Sequence, residues 1–434
     1  MNELEPVVAT KACGCPDYDR ALTRRSFLKR AGIAGLVAGI ASETAFTLLA
    51  FGAGAYTGDV LVVLSLRGGM DGLQVVVPAA DPDYLTWRPH IGIQPSSLLP
   101  LDATFGLHPA LGAVKPLYDS GMLGFVHAVG MAEPNRSHFS AMEEMERAAP
   151  GTSLRTGWID RVIGRRTEGT VFQAMQVGSG MASTAFIGPS PELAMWSVDG
   201  FDLEGAGDAT ELHRWDKVLN ALYAGSPTML GKPARAVLGA LATTAQMKVE
   251  GYTPENGATY PDTDLGNALK DVARLIKRDI GLEVAAVDYG DWDMHADMGD
   301  VDTGWMHDHL TELGNALFAF ATDMGSGMDN VTFTTLTEFG RRVEDNGSGG
   351  TDHGYGQLVT VMGGGIQGTA VHGTWPTLAP SKLLDGDLKA TTDYRALLAE
   401  LLQKRCRASS ADVGAIFPGI GSIPAPGVAN PKPP

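Results

Sequence analysis

Cysteine is nearly absent from this chain, with three in 434 residues: two sit in "KACGCPDY" near the start, and the third is Cys406. Basic residues are also scarce, 33 Lys and Arg against 50 Asp and Glu, which leaves a formal net charge of -17. No basic cluster occurs beyond the N-terminus, so the charge needed to hold a phosphate backbone is missing and a nucleic-acid partner is excluded. Inside the body no apolar stretch is long enough to cross a bilayer, and no internal repeat is present. What remains is 44% hydrophobic and 19% charged. At this length such a composition builds one large soluble domain or two smaller ones.

The N-terminus carries its own pattern. "TRRSFLK" (23–29) precedes a largely apolar run from Ala31 to Phe51, and "AGA" (53–55) supplies the small residues a signal peptidase accepts. Arginine pair, apolar run and small-residue site together resemble a twin-arginine export signal, with the twin-arginine translocon as partner during export. Glu43 interrupts the run. Cleavage after Ala55 leaves Tyr56 first and no stable membrane span; retention as an anchor is the alternative. The expected location is the periplasm, the cell envelope or the exterior. Cys13 and Cys15 leave with the leader, Cys406 stands alone, and no internal disulfide forms. The route carries folded proteins, which suits a domain that acquires an ion before export.

The mature body opens with "DVLVVLSLRGGMDGLQVVVP" (59–78). Val60 to Leu66 is a continuous β-branched run, as expected of a strand buried on both faces of a parallel sheet. Further strand-like runs are 122–129, 282–290, 332–339 and 358–365, each followed by polar or Gly-rich residues. Leu310, Leu313, Leu317, Phe320 and Met324 recur on one helical face, and "TTDYRALLAELLQKR" (391–405) reads as a helix with a Thr cap and basic last turn. This alternation predicts an α/β sandwich. The domain spans 56–421, with a mainly helical cap or insertion at roughly 190–275 and a Pro-rich, unpacked tail at 422–434.

Polar residues gather at the strand ends. They are Asp71; Ser137 and His138 in "EPNRSHF"; Asp291, Asp293 and His295 in "GDWDMHADM"; Glu338; and Asp352 with His353 in "GSGGTDHGYG". Carboxylates and imidazoles are the donors a divalent ion takes, and their convergence after strands marks a candidate metal site. Each has a plainer reading. Asp71 can close a turn, Ser137 can be a loop residue beside a "SAME" capping box using Ser140, and His138 can satisfy a carbonyl. Glu338 and Arg341 can be an ion pair, and Trp292 packing.

"LVVLSLRGGMDGLQVVVP", "FGLHPAL", "PNRSHF", "DWDMHADM", "TEFGRRVEDNGSGGTDHGYG" and "TTDYRALLAELL" together resemble the bacterial domain-of-unknown-function 1501 family, twin-arginine-exported and similar to the alkaline phosphatase and sulfatase superfamily. The resemblance implies a doubly wound, mostly parallel sheet with helices on both faces and one or two divalent cations: zinc, calcium or magnesium. It implies one ion on Asp71, Asp352 and His353, with Ser137 as nucleophile. A second would take Asp293 and His295 with a later histidine, for which His372 stands in place. Asp293 is preferred to Asp291, although the Asp-x-His gap is shorter than the superfamily's. Arg136 or Arg341 would clamp a substrate oxygen, and His138 is the next candidate for the nucleophile. The implied activity is an exported metal-dependent hydrolase of small phosphate or sulfate esters. The alternative is an exported non-catalytic binding or envelope-assembly protein with structural or vestigial metal sites.

Overall fold

The computed structural model describes residues 56–433 apart from 167–169, 191, 204–208, 227–230 and 422. The expected export leader, with Arg24, Arg25, Cys13 and Cys15, lies outside the described residues. Among the described residues no helix is long and apolar enough to cross a membrane. The chain divides into two compact units. The larger holds the sheet; the described part of the smaller falls within 203–238.

Among the described residues the larger of two sheets has nine strands. In chain order these are β1 (Val60–Leu66), β2 (Leu123–Gly130), β3 (Ala174–Val177), β4 (Leu193–Met195), β5 (Val284–Tyr289), β6 (Val331–Leu336), β7 (Gln357–Met362), β8 (Val371–His372) and β9 (Thr392–Asp393). Their spatial order is β8-β2-β7-β6-β1-β5-β3-β4, with β9 also paired to β2. β1 lies centrally between β5 and β6, parallel to both, with Leu61 opposite Val284 and Val60 opposite Val331. Among the described strands of this sheet only β7 runs antiparallel to its neighbours, β2 and β6. The sheet is thus mixed and mostly parallel, as the unbroken apolar run of β1 predicted.

Both faces of β1 are dry, which a parallel strand flanked by helices requires. Leu61 and Val63 join a core with α1 (His138–Arg147), α2 (Trp158–Ile163), α7 (Tyr394–Lys404) and α8 (Ser410–Ile416). Val62 and Leu64 point to the opposite face and are equally buried. There α5 (Asp264–Lys277) packs along β5 and against α6 (Trp305–Met324). All five residues of the expected α6 stripe, from Leu310 to Met324, are buried. Each such side chain contributes roughly 1.5–3 kcal/mol.

Several expectations are corrected. β4 forms the sheet edge and α5 packs on the sheet, so both belong to the main body rather than to an insertion over 190–275. The smaller unit holds α3 (Ala209–Tyr223) and the first turns of α4 (Gly231–Glu250), tied by an Arg235 Nη1 to Tyr223 carbonyl bond of 2.7 Å. The cap of α7 is Asp393, whose carboxylate accepts from Arg395 N; Thr392, in β9, pairs with Val129, and Thr391 N donates to the Ala128 carbonyl. The C-terminal tail packs: Val428 and Ala429 are fully buried, Ala429 bridges Ile366, and Lys432 Nζ lies 2.6 Å from Asp59 Oδ1. Asp59 is fully buried, and its carboxylate draws in both Lys432 and Arg405 to compensate its charge.

Candidate metal centre

Four chain segments meet beyond the ends of β1, β5, β6 and β2. β6 ends at Leu336, short of the expected 339, and this frees Thr337, Glu338 and Phe339 to turn into the site. The Gly-rich loop is stitched between two neighbours: Arg342 N donates to Asp352 O at 2.9 Å, Gly354 N to Gly340 O at 2.9 Å, and Thr351 N to Met294 O at 3.2 Å. Its glycines serve close approach. A Cβ on Gly350 would come within 2.5 Å of the His295 carbonyl carbon, and one on Gly354 would collide with that of Arg341. The loop therefore presses His353 against the 293–295 segment.

Three imidazoles converge through their Nε2 atoms. His353 Nε2 lies 2.9 Å from His138 Nε2 and 2.9 Å from His295 Nε2. Asp293 Oδ1 is 3.1 Å from both His353 Nε2 and His295 Nε2, and its Oδ2 is 3.4 Å from His138 Nε2. Every Nδ1 is committed elsewhere. That of His138 donates to Glu338 Oε1 at 2.7 Å, that of His295 to Asp352 Oδ1 at 3.0 Å, and that of His353 to the Arg136 carbonyl at 2.9 Å. A neutral imidazole carries one proton, so with Nδ1 protonated each Nε2 presents only a lone pair. Bare nitrogens at hydrogen-bond distance repel unless a positive charge, a proton or a metal ion, lies between them.

The surroundings fit a metal ion. Histidine ligands ordinarily give their second N–H to a carboxylate or carbonyl, and all three do so here. One donor atom each from His138, Asp293 and His353 lies within 4.8 Å of the others, with His295 alongside. This nitrogen-rich set suits a borderline ion such as zinc better than calcium or magnesium, which prefer oxygen. Partial burial opposes the charge on Asp293, but Arg341, then His353 and His295, outweigh it and hold the carboxyl below the usual range. His295 does the same for Asp352, against slight burial.

The structure redistributes the expected roles. Asp352 and His353 do diverge, yet Asp352 turns to the back of His295, with Asn346 Nδ2 at 3.3 Å. Asp71 is not brought to the cluster. It caps the short helix Gly72–Val75 and forms a bidentate pair with the buried Arg88, at 2.8 and 3.0 Å, so both its oxygens are taken. Arg341 is buried and spends its donors on Asp293 and the carbonyls of Gly68, Gly69, Trp292 and Thr351, so it anchors Asp293 rather than clamping a substrate or pairing with Glu338. Glu338 binds Gly68 N and His138 instead.

Ser137 is exposed at the start of α1 and makes no side-chain capping bond; Ser140 lies inside the helix, its hydroxyl bound by Asn135. Asn135 also receives Ser137 N, which starts the helix earlier than the "SAME" pattern suggested. His372 sits in β8 with its Nε2 on the Gln367 carbonyl, and the third histidine beside Asp293 is His138. Asp291 lies outside the cluster, and Trp292 is buried against Tyr289 and His309. Sequence reasoning missed Arg88 and Asp387. Neither stands in a recognisable pattern, and each acts on residues far along the chain.

Several solved structures resemble the chain weakly. Among them are the zinc-complexed C-terminal periplasmic domain of EcEptC from Escherichia coli, 9% identical over 71% of this chain and 73% of that one, with a TM-score of 0.31; the lipoteichoic acid synthase LtaP from Listeria monocytogenes, 8% identical over 84% and 80%, TM-score 0.30; and alkaline phosphatase from the Antarctic bacterium TAB5, 10% identical over 71% and 92%, TM-score 0.29. Likenesses this weak carry no argument, and the α/β assignment stands on the sheet itself. No curated protein matches the chain. Residues 239–410, which include Asp293, His295, Glu338, Arg341, Asp352 and His353 but not Ser137 or His138, match the family described as a protein of unknown function, DUF1501, the family that the motifs resemble.

Proposed function

We propose that the chain is an exported metal-dependent hydrolase of small phosphate or sulfate esters, with a single zinc-like ion held by His138, His353 and Asp293 beside His295. The observation that carries this reading is the set of three Nε2 lone pairs aimed together while every Nδ1 proton is engaged. One ion rather than two is favoured because Asp71, the expected ligand of another, has both oxygens on Arg88. When bound, the ion supplies Lewis acidity to an ester oxygen. Glu338, Asp352 and the Arg136 carbonyl keep the ring protons off the ligand nitrogens. Ser137, exposed where α1 begins one residue before His138, is the proposed nucleophile, and the helix N-terminus favours the anionic group it attacks. Export by the arginine pair at 24–25 remains part of the proposal.

The test is elemental analysis of the purified chain together with turnover of aryl phosphates and aryl sulfates. We expect about one zinc-like ion per chain, loss of both metal and turnover in His353→Ala, and loss of turnover alone in Ser137→Ala. Metal in the parent with no ester turnover would favour the binding-protein reading; no metal at all would remove the centre.

A further inference from the structure

Asp387 belongs to none of the motifs, yet it is fully buried and pairs with Arg136, two residues before His138. Its Oδ2 accepts Arg136 Nε at 2.9 Å and Arg136 Nη2 at 2.5 Å. Its Oδ1 lies 4.0 Å from Arg342 Nη1 and has no hydrogen-bond partner. Burying a carboxylate in this way is costly unless it is paired, so the charge of Asp387 holds the guanidinium of Arg136 firmly. Arg136 in turn presents its carbonyl to His353 Nδ1 at 2.9 Å. A carbonyl only accepts, so this bond keeps the His353 proton on Nδ1 and leaves Nε2 bare. The same short loop runs directly into Ser137 and His138.

We propose that Asp387 is a positioning residue of this site: through Arg136 it fixes the carbonyl that sets the tautomer of His353. Its effect on cation affinity rests on the metal reading above, whereas its effect on the proton does not. The side chain touches neither ligand nor reacting atom. It acts by holding the 133–137 loop, whose Arg136 lies 251 residues from Asp387 along the chain, so that the Arg136 carbonyl meets His353 of the Gly-rich loop.

The experiment uses the mature chain with ¹⁵N-labelled histidine, stripped with chelator, and the His353 ring is identified by its disappearance in His353→Gln. In the parent we expect the ring to hold its proton on Nδ1 alone. Asp387→Ala should turn it into the tautomer mixture of a free imidazole and lower zinc affinity, read by competition with a chromophoric chelator, by about 10–100-fold. Asp387→Asn, which keeps the shape of the side chain but removes the charge that holds Arg136, should move both readouts in the same direction to a smaller extent, and carries the test if the Ala variant fails to fold. A His353 tautomer unmoved in every variant that folds overturns the proposal. A parent that binds no zinc while its tautomer responds as expected removes the metal reading and leaves the positioning role standing.

Discussion

At the scale of single residues, the informative case is Asp71. A carboxylate just past a buried strand serves either as a ligand or as a counter-charge, and the choice depends on Arg88, which no local pattern joins to it. With Arg88 and Asp71 both buried and paired at 2.8 Å, Asp71→Asn leaves a guanidinium in the interior without its anion. We expect a loss of about 3–5 kcal/mol in urea unfolding. Metal content should stay at the parent level; metal loss without destabilisation would return Asp71 to the ion. The same distinction explains how far the site was legible. His138, Asp293, His295 and Glu338 stand out in the sequence as polar residues at or beyond the end of an apolar run, and Asp352 with His353 as a polar pair in a Gly-rich run. Which of them aim donors inward and which hold those donors from behind is set by individual ring and carboxylate atoms across segments distant in sequence, and periodicity carries no trace of that.

At the scale of elements, long strands with continuous apolar runs and the α6 stripe were readable because each repeats its signal several times. β3 and β4, with four residues and three, give the pattern too few positions to show. The antiparallel β7 was visible as a strand, but its direction was not, since direction depends on the path between strands. The Gly-rich loop is the element whose composition is best explained by contact. Gly354 faces the backbone of Arg341, where a methyl group has no room, whereas a methyl group on Gly347 would meet nothing within 4 Å. Gly354→Ala should therefore shift the loop at a cost of about 1–3 kcal/mol and weaken metal retention, while Gly347→Ala should stay within about 0.5 kcal/mol of the parent. Chemical denaturation and metal analysis of the two variants side by side decide it; equal behaviour would mean that the loop tolerates Gly354 substitution and that its tight stitching is not needed to hold His353.

For the whole molecule, two opposing effects govern stability in mild acid. The net charge of -17 makes the folded chain repel itself, and protonation relieves that repulsion. Against it stand two buried histidines. His127 donates from Nε2 to the Val76 carbonyl at 2.7 Å, while its Nδ1 is buried with no partner. His108 uses Nδ1 to accept from Ala110 N at 3.1 Å, so that nitrogen cannot also carry a proton. Burial pushes both down from 6.5 to about 4, helped at His108 by the nearby His307. A folded pKa below the unfolded one means that the unfolded chain binds protons first. Stability is then complete above pH 6.5 and lost as the pH falls toward 4, by roughly 3 kcal/mol per histidine. Surface repulsion is screened over about 8 Å at physiological salt, so the buried pair should win and the chelator-stripped protein should weaken on acidification. His127→Gln keeps a donor toward Val76, and His108→Asn keeps an acceptor for Ala110. The double variant should lose less stability than the parent between pH 6.5 and 4 in urea titrations, because every other group is common to both and cancels in the comparison. Identical slopes would place the acid sensitivity outside this pair.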